Sequence, residues 1–172
     1  MASLKEMMGL NRADFGTVEK DFADITNRIM SNEDVVKLLY YNTPDALQEG
    51  KTVVTEKILN EVARDNIRIV PSLRVPENKG SYLIITFDSF TPNANNPEFM
   101  NNLFLIDVLC PSDVWMMDSY MMRPFRIMHE LQRMFNDRPL NGIGKAYLLG
   151  ASLLNLGDYT GYQMAFSVIN DV

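Results

Sequence analysis

The sequence predicts an α+β fold: a mainly antiparallel sheet of about five strands, one long helix packed on it, and helices at the N-terminal end. Three observations predict it. Apolar runs of strand length occupy residues 67–75, 82–90 and 102–110. A long amphipathic stretch covers 114–136. Two further strand-like runs, 144–156 and 160–170, close the chain. No nucleophile–base pair, metal-ligand cluster or phosphate loop is legible over this frame, so the architecture carries the functional signal.

The first third reads as helical and polar. Over 14–30, Val18, Phe22, Ile25, Ile29 and Met30 recur at helical spacing, with acids in the early turns where the helix dipole favours them. Ser31 followed by Asp34 has the form of a capping box opening a second helix through Val35, Val36, Leu38, Leu39 and Tyr40. Asn42-Thr43-Pro44-Asp45 stops it, one short turn over 45–48 comes next, and Gly50 ends that turn. Val53 and Val54 favour a strand whereas Ile58, Leu59 and Val62 favour a helix. The pattern is read as a helix from about residue 55 to 64 with Asn66 as its stop.

The remainder reads as β-rich. Ile67-Arg68-Ile69-Val70 opens the sheet, and Pro71 makes that strand an edge or bends it. Glu77-Asn78-Lys79-Gly80 is a turn that makes a hairpin with the next strand. Residues 91–98, with two prolines and three asparagines, form an exposed, mobile loop. Asn102–Leu109 is the most hydrophobic strand, and Asp107 is its one charge. Pro124 interrupts the amphipathic stretch, so it marks a kink or a new start. Beyond it Phe125, Met128, Leu131, Met134 and Phe135 share one face, and Arg126, Glu130, Arg133 and Asp137 lie largely on the other. Residues 137–142 break the helix, and Gly157-Asp158 supplies a tight hairpin between the last two strands. In the final strand Tyr162, Met164, Phe166 and Val168 share one face, opposite Gln163, Ala165 and Ser167.

Composition narrows the class. A chain of 172 residues has the length of one domain with a proper core, divided here into a helical extension, 1–51, and an α+β core, 52–172. The 47% hydrophobic and 22% charged content is that of a globular chain. No apolar run reaches about 18 residues, so no membrane-spanning helix is expected. The start, Met1-Ala2-Ser3-Leu4-Lys5-Glu6, lacks the basic and apolar regions of a signal peptide, and residence in a cytoplasm is expected. A net charge of −6 withholds the footprint of a nucleic-acid binder, and Arg123, Arg126 and Arg133 are too interrupted to form a basic stripe.

Each group with chemical potential has a plain reading beside it. Cys110, the one cysteine, reads as a buried structural thiol. His129 has no second histidine to share a metal, and its neighbour Glu130 points elsewhere on the helix. Asp88 and Asp107 fall on neighbouring strands, where paired carboxylates could do acid–base work, but they lack a third acid at metal spacing. Gly142-Ile143-Gly144-Lys145 lacks the full spacing of a phosphate loop and enters a strand instead of a helix. Twelve methionines are many for this length; Met116, Met117, Met121 and Met122 gather around Trp115 and Tyr120, as core packing or as a surface that repacks against a neighbouring subunit.

The order of elements resembles that of the tail-terminator (tail-completion) and neck proteins of tailed bacteriophages. The resemblance covers roughly 52–172 and is carried by Asn102-Leu103-Phe104-Leu105-Ile106-Asp107-Val108, by Arg123-Pro124-Phe125-Arg126-Ile127-Met128 and by Tyr159-Thr160-Gly161-Tyr162-Gln163-Met164-Ala165-Phe166. It implies a non-enzymatic structural virion protein without a cofactor, assembled in the host cytoplasm into a ring, usually of six copies. Such a ring caps the tail tube, stops its growth and joins the head-side connector or stopper, with a sheath as neighbour where the tail has one. The genome passes through without specific binding, to which an acidic lumen is suited. Candidate interface residues are Trp115, Tyr120, Met121, Arg123 and Arg126 on the helical stretch, and Asn93, Asn95 and Asn96 in the loop. Two other readings stay open: a head-closure or head–tail adaptor protein, and a small acidic cytosolic enzyme or ligand-binding domain using Asp88, Asp107 or His129.

Overall fold

A computed structural model describes residues 15–69, 80–92, 100–140 and 144–169. Helix α1, Phe15–Met30, buries Ile25 and Ile29, one turn apart. The Ser31 hydroxyl turns back to donate to Asn27 O at 2.7 Å, so it does not cap the next helix. The cap falls one residue later than the sequence suggests: Asn32 Oδ1 accepts the Val35 N–H at 3.1 Å and opens α2, Glu33–Tyr40. Residues 43–48 make hydrogen-bonded turns without a helix, and Gly50 closes them at φ +78°. Thr55 caps α3, Glu56–Glu61, which continues into a wider π-helical turn, Val62–Asn66. That cap settles the competing patterns of Val53-Val54 and Ile58-Leu59-Val62 in favour of the helix.

The sheet has six strands in the order β1-β2-β3-β6-β5-β4. The long ones are β2, Tyr82–Pro92; β3, Met100–Pro111; β5, Gly144–Leu156; and β6, Tyr159–Ile169. All four run antiparallel to their long neighbours. The two outer strands are short: β1, Ile67–Arg68, and β4, Arg138–Leu140. The fold is therefore α+β with a mainly antiparallel sheet, as the sequence predicts.

Four details differ. β1 pairs parallel to β2, Ile67 with Leu83 and Arg68 with Ile84, so no hairpin joins them. β4 forms inside the stretch read only as a helix breaker, because Asp137 at φ +56° turns the chain onto β5. The long helix is shorter than 114–136: α4 spans Arg123–Phe135, and Pro124 starts it, where its missing N–H costs nothing. Phe125, assigned to the buried face, is exposed, whereas Glu130 is buried.

Of the expected loop 91–98, Thr91 and Pro92 belong to β2. Residues 93–98 lie outside the described residues, as do 70–75 of the first expected strand, 77–79 of its turn, and 141–142.

One face of the sheet carries the helices. There Phe104 stacks on Phe166 at 4.9 Å and 8°, and Phe135 of α4 meets both edge-on. Phe22 of α1 meets Phe87 edge-on at 4.7 Å. Such ring contacts add about 0.5–1.5 kcal/mol each beyond burial. Ile25, Ile29 and Val35 share this cluster with Ile106 and Met164, so the core runs across residue 51. The opposite face is half-buried at Leu103, Leu105, Asp107, Gln163, Ala165 and Ser167 and carries a second, buried cluster of Tyr82, Ile84, Leu109 and Tyr159. Gly161 is held so close to β3 that a Cβ there would stand 1.7 Å from Val108 O.

Candidate functional site

The residues the sequence singles out around Tyr120 lie on the connection between β3 and α4. Two 3-10 turns, Ser112–Val114 and Asp118–Tyr120, build it. It is tied down at several points. Ser112 bonds Asp158 O through its N–H at 3.1 Å, and its hydroxyl lies 2.7 Å from that of Thr160. Trp115 Nε1 donates to Thr160 O at 3.2 Å. Met117 N–H bonds Met121 O, Asp118 N–H bonds Pro44 O, and Arg123 N–H bonds Trp115 O. These ties hold Ser119 and Tyr120 at φ +62° and +60°. Two consecutive left-handed residues with side chains cost about 1–2 kcal/mol each, so the surrounding bonds must over-determine them.

The outcome is an apolar apex. Tyr120 is 91% exposed, and Met116, Met121, Met122 and Phe125 are all exposed with it. The Phe125 ring lies 5.1 Å from Tyr162 of β6, whose register partner on β5 is the exposed Leu153. The apolar surface thus continues from the apex onto β5.

Arg123 holds the base of this connection, and this corrects its reading as a subunit contact. It is 0% exposed. Its Nε donates to Val114 O at 3.0 Å, Nη1 to Leu38 O at 2.7 Å and Tyr41 O at 2.8 Å, and Nη2 to Thr43 O at 2.7 Å. Three of the four acceptors gather at the C-terminal end of α2, where orphan carbonyls and the negative end of the helix dipole suit a cation. Burial pushes the guanidinium below its ordinary pKa.

Arg126 is half-buried and pairs with Asp34 at 3.3 Å and Glu130 at 3.5 Å. Glu130 also accepts from Arg133 and from Asn32 Nδ2, each at 3.3 Å. Trp115 is half-buried against Tyr162. Of the expected contact residues, Tyr120 and Met121 are therefore the ones most open to a partner; Asn93, Asn95 and Asn96 lie outside the described residues. Exposed Phe125 and Leu153 were missed. Helical spacing put Phe125 on the core face, and nothing local marks Leu153.

The groups weighed for chemistry are not brought together. Asp107 pairs in register with Ile84 and Gln163, and its carboxylate accepts from Gln163 Nε2 at 2.9 Å. Burial pushes its pKa up, and the Gln163 bond offsets part of that. Asp88 is exposed in a bulge between Phe87 and Ser89, several rows away. His129 is exposed on α4 and opens onto a groove with Asn32, Glu130, Arg133 and Arg138. Among the described residues no three His, Cys, Asp or Glu side chains converge as metal ligands would. Cys110 is buried and its thiol is pushed up to about 11 by burial, an inert structural thiol as read from the sequence. Gly144 and Lys145 enter strand β5.

Residues 32–168, well over half of the chain, match a family model named YomW, a phage-derived name that marks a phage-related protein. No curated protein matches the chain. Among the described residues no helix is long and apolar enough to cross a membrane.

Proposed function

The chain belongs to the YomW family, and we propose that it is a structural, non-enzymatic part of a phage neck: a tail terminator whose copies close into a ring on the tail tube and join it to the head-side connector. The observation that carries this reading is the braced apolar apex around Tyr120. An exposed group of thioethers and aromatic rings is unfavourable in water, and it is held in a strained shape by a fully buried arginine. Adaptable methionines around an aromatic anchor suit a protein partner. The net charge of −6 fits a passage through which DNA moves without adhering.

The test is the mass of the purified protein by light scattering at several concentrations, with negative-stain images, alone and with tail-tube protein added. A ring with a central hole, formed alone or on the tube, is expected. A concentration-independent monomer that ignores both tube and connector proteins would overturn the reading.

A further inference from the structure

Among the described residues, the sheet has two long uncovered edges on opposite sides. On one side β1 covers only Leu83 and Ile84 of β2, so residues 85–92 of β2 have no neighbour strand on that side among the described residues. On the other, β4 covers only Gly144, Lys145 and Ala146 of β5. Asn136 Oδ1 takes the Leu148 N–H at 2.9 Å, and beyond it residues 149–156 of β5 are uncovered among the described residues. This stretch reads Leu149-Gly150-Ala151-Ser152-Leu153-Leu154-Asn155-Leu156, without a charge or a proline, and Leu149 and Leu153 are each 64% exposed. An uncharged, proline-free edge of this length invites another strand, and the bulge at Leu149 is its one guard.

We infer that neighbouring copies of this chain join edge to edge, β5 of one pairing antiparallel with β2 of the next, so that one sheet continues from subunit to subunit. The inference rests on the ring reading above and specifies its contact. Three observations support it. The four long strands alternate in direction across β2-β3-β6-β5, so β5 and β2 of copies repeated head to tail meet antiparallel without any inversion. A contact between two different edges is heterologous, the kind that closes rings.

Second, the short strands block opposite ends. Through the register, Ala146 stands level with Phe90, and Leu153 level with Leu83. Sliding the next copy by about five residues brings its residues 85–92 alongside 149–156 and clears both β1 and β4. Five residues of about 3.3 Å, taken once per four strands about 4.8 Å apart, tilt the strands by roughly 40°, within the range of closed barrels. Third, Leu153 pairs in register with Tyr162, whose ring meets that of Phe125, so this edge is continuous with the apolar apex. With the described helices outside, the opposite face, bearing Asp107 and Gln163, lines the interior.

The direction of the β5 amides supplies a variant. Leu148 turns its N–H away from β6, toward Asn136, so the row it shares with Phe166 is not bonded to β6. Past the bulge, Ala151 and Leu153 pair with Met164 and Tyr162 in the same alternate rows, and their N–H groups point outward. Leu153→Pro therefore removes an outward donor and spares the β5–β6 ladder; Ala151→Pro is the second variant should the first fail to fold.

The experiment is amide hydrogen exchange of the assembled full chain against its dilute monomer, with the sedimentation of the folded proline variant. We expect at least tenfold slower exchange over 149–156 and 85–92 in the assembly, and loss of the assembly in the variant. A ring whose β5 exchanges as fast as in the monomer, and which survives the proline, overturns the edge contact and leaves the ring reading standing. Protection of β5 that arises only with tail-tube protein overturns it in favour of a foreign strand. Failure to form any ring overturns both.

Discussion

Replacing Arg123 by methionine keeps the length of the side chain and removes its charge and all its donors. Four carbonyls, of Val114, Leu38, Tyr41 and Thr43, then lose partners at 2.7–3.0 Å. Hydrogen bonds from a charged donor contribute about 1.5–3 kcal/mol each, but the arginine itself pays a desolvation cost that methionine does not, so the four do not add. Breaking a buried network by removing one member costs about 3–5 kcal/mol, and that is the loss expected. At this chain length each kcal/mol moves the midpoint by about 2–4 °C, so thermal unfolding monitored by circular dichroism should fall by roughly 10 °C. Arg123→Lys should lose about half as much, because one ammonium cannot reach acceptors spread around a planar fork. Urea unfolding gives the free energy directly. A loss under about 1 kcal/mol for Arg123→Met would refute the reasoning, since it would mean that water satisfies these carbonyls as well as the guanidinium does.

The geometry sets three further outcomes. Gly161→Ala places a Cβ against Val108 O at 1.7 Å and forces β6 from β3, so a loss of about 2–4 kcal/mol in urea unfolding is expected; an unchanged midpoint would contradict the close approach. Asp21 on α1 is buried, neither oxygen has a partner among the described residues, and burial, with Asp24 second, pushes its carboxyl from 3.8 to about 7. The folded chain then keeps a proton that the unfolded chain releases, so stability present below about pH 4 is lost as pH rises to about 7; Asp21→Asn should gain about 1–3 kcal/mol at pH 8 and little at pH 4, and equal gains at both would sink the idea. Arg126→Glu places an acid beside Asp34 and buried Glu130, so it should cost about 1–2 kcal/mol in the monomer and, where this face meets a neighbour, weaken assembly in sedimentation; unaltered assembly of the folded variant would remove Arg126 from the contact.

Much of the frame was legible because periodicity is a local property. The alternation of Met164, Phe166 and Val168 gave β6 its core face, and the helical spacing of Ile25 and Ile29 gave α1 its own. What escaped depends on distant partners. Arg138-Pro139-Leu140 has no strand pattern, and it pairs only because Asp137 delivers it to β5. A two-residue parallel strand such as β1 is set by where the chain returns, which its own residues do not encode. At the candidate site the cluster of Trp115, Tyr120 and the methionines was visible as composition. The role of Arg123 was not, since a charged residue at a helix start reads as a surface group unless carbonyls some eighty residues earlier are known to gather around it.

That same separation matters during synthesis. Arg123 lies 80–85 residues after the three carbonyls it joins at Leu38, Tyr41 and Thr43. At about 5–20 residues per second, those carbonyls leave the ribosome roughly 4–17 s before the guanidinium that satisfies them. The nascent helices α1 and α2 must wait in a loosely held state, open to exchange and to chaperones. The core therefore closes late: Arg123 first joins the early helices to the segment that bears the apolar apex, and β6 with the turn before it, which supplies Phe166 to the core and ties that segment through Asp158 and Thr160, is made after it. An unfinished chain thus lacks the ties that hold the apex in its assembled shape.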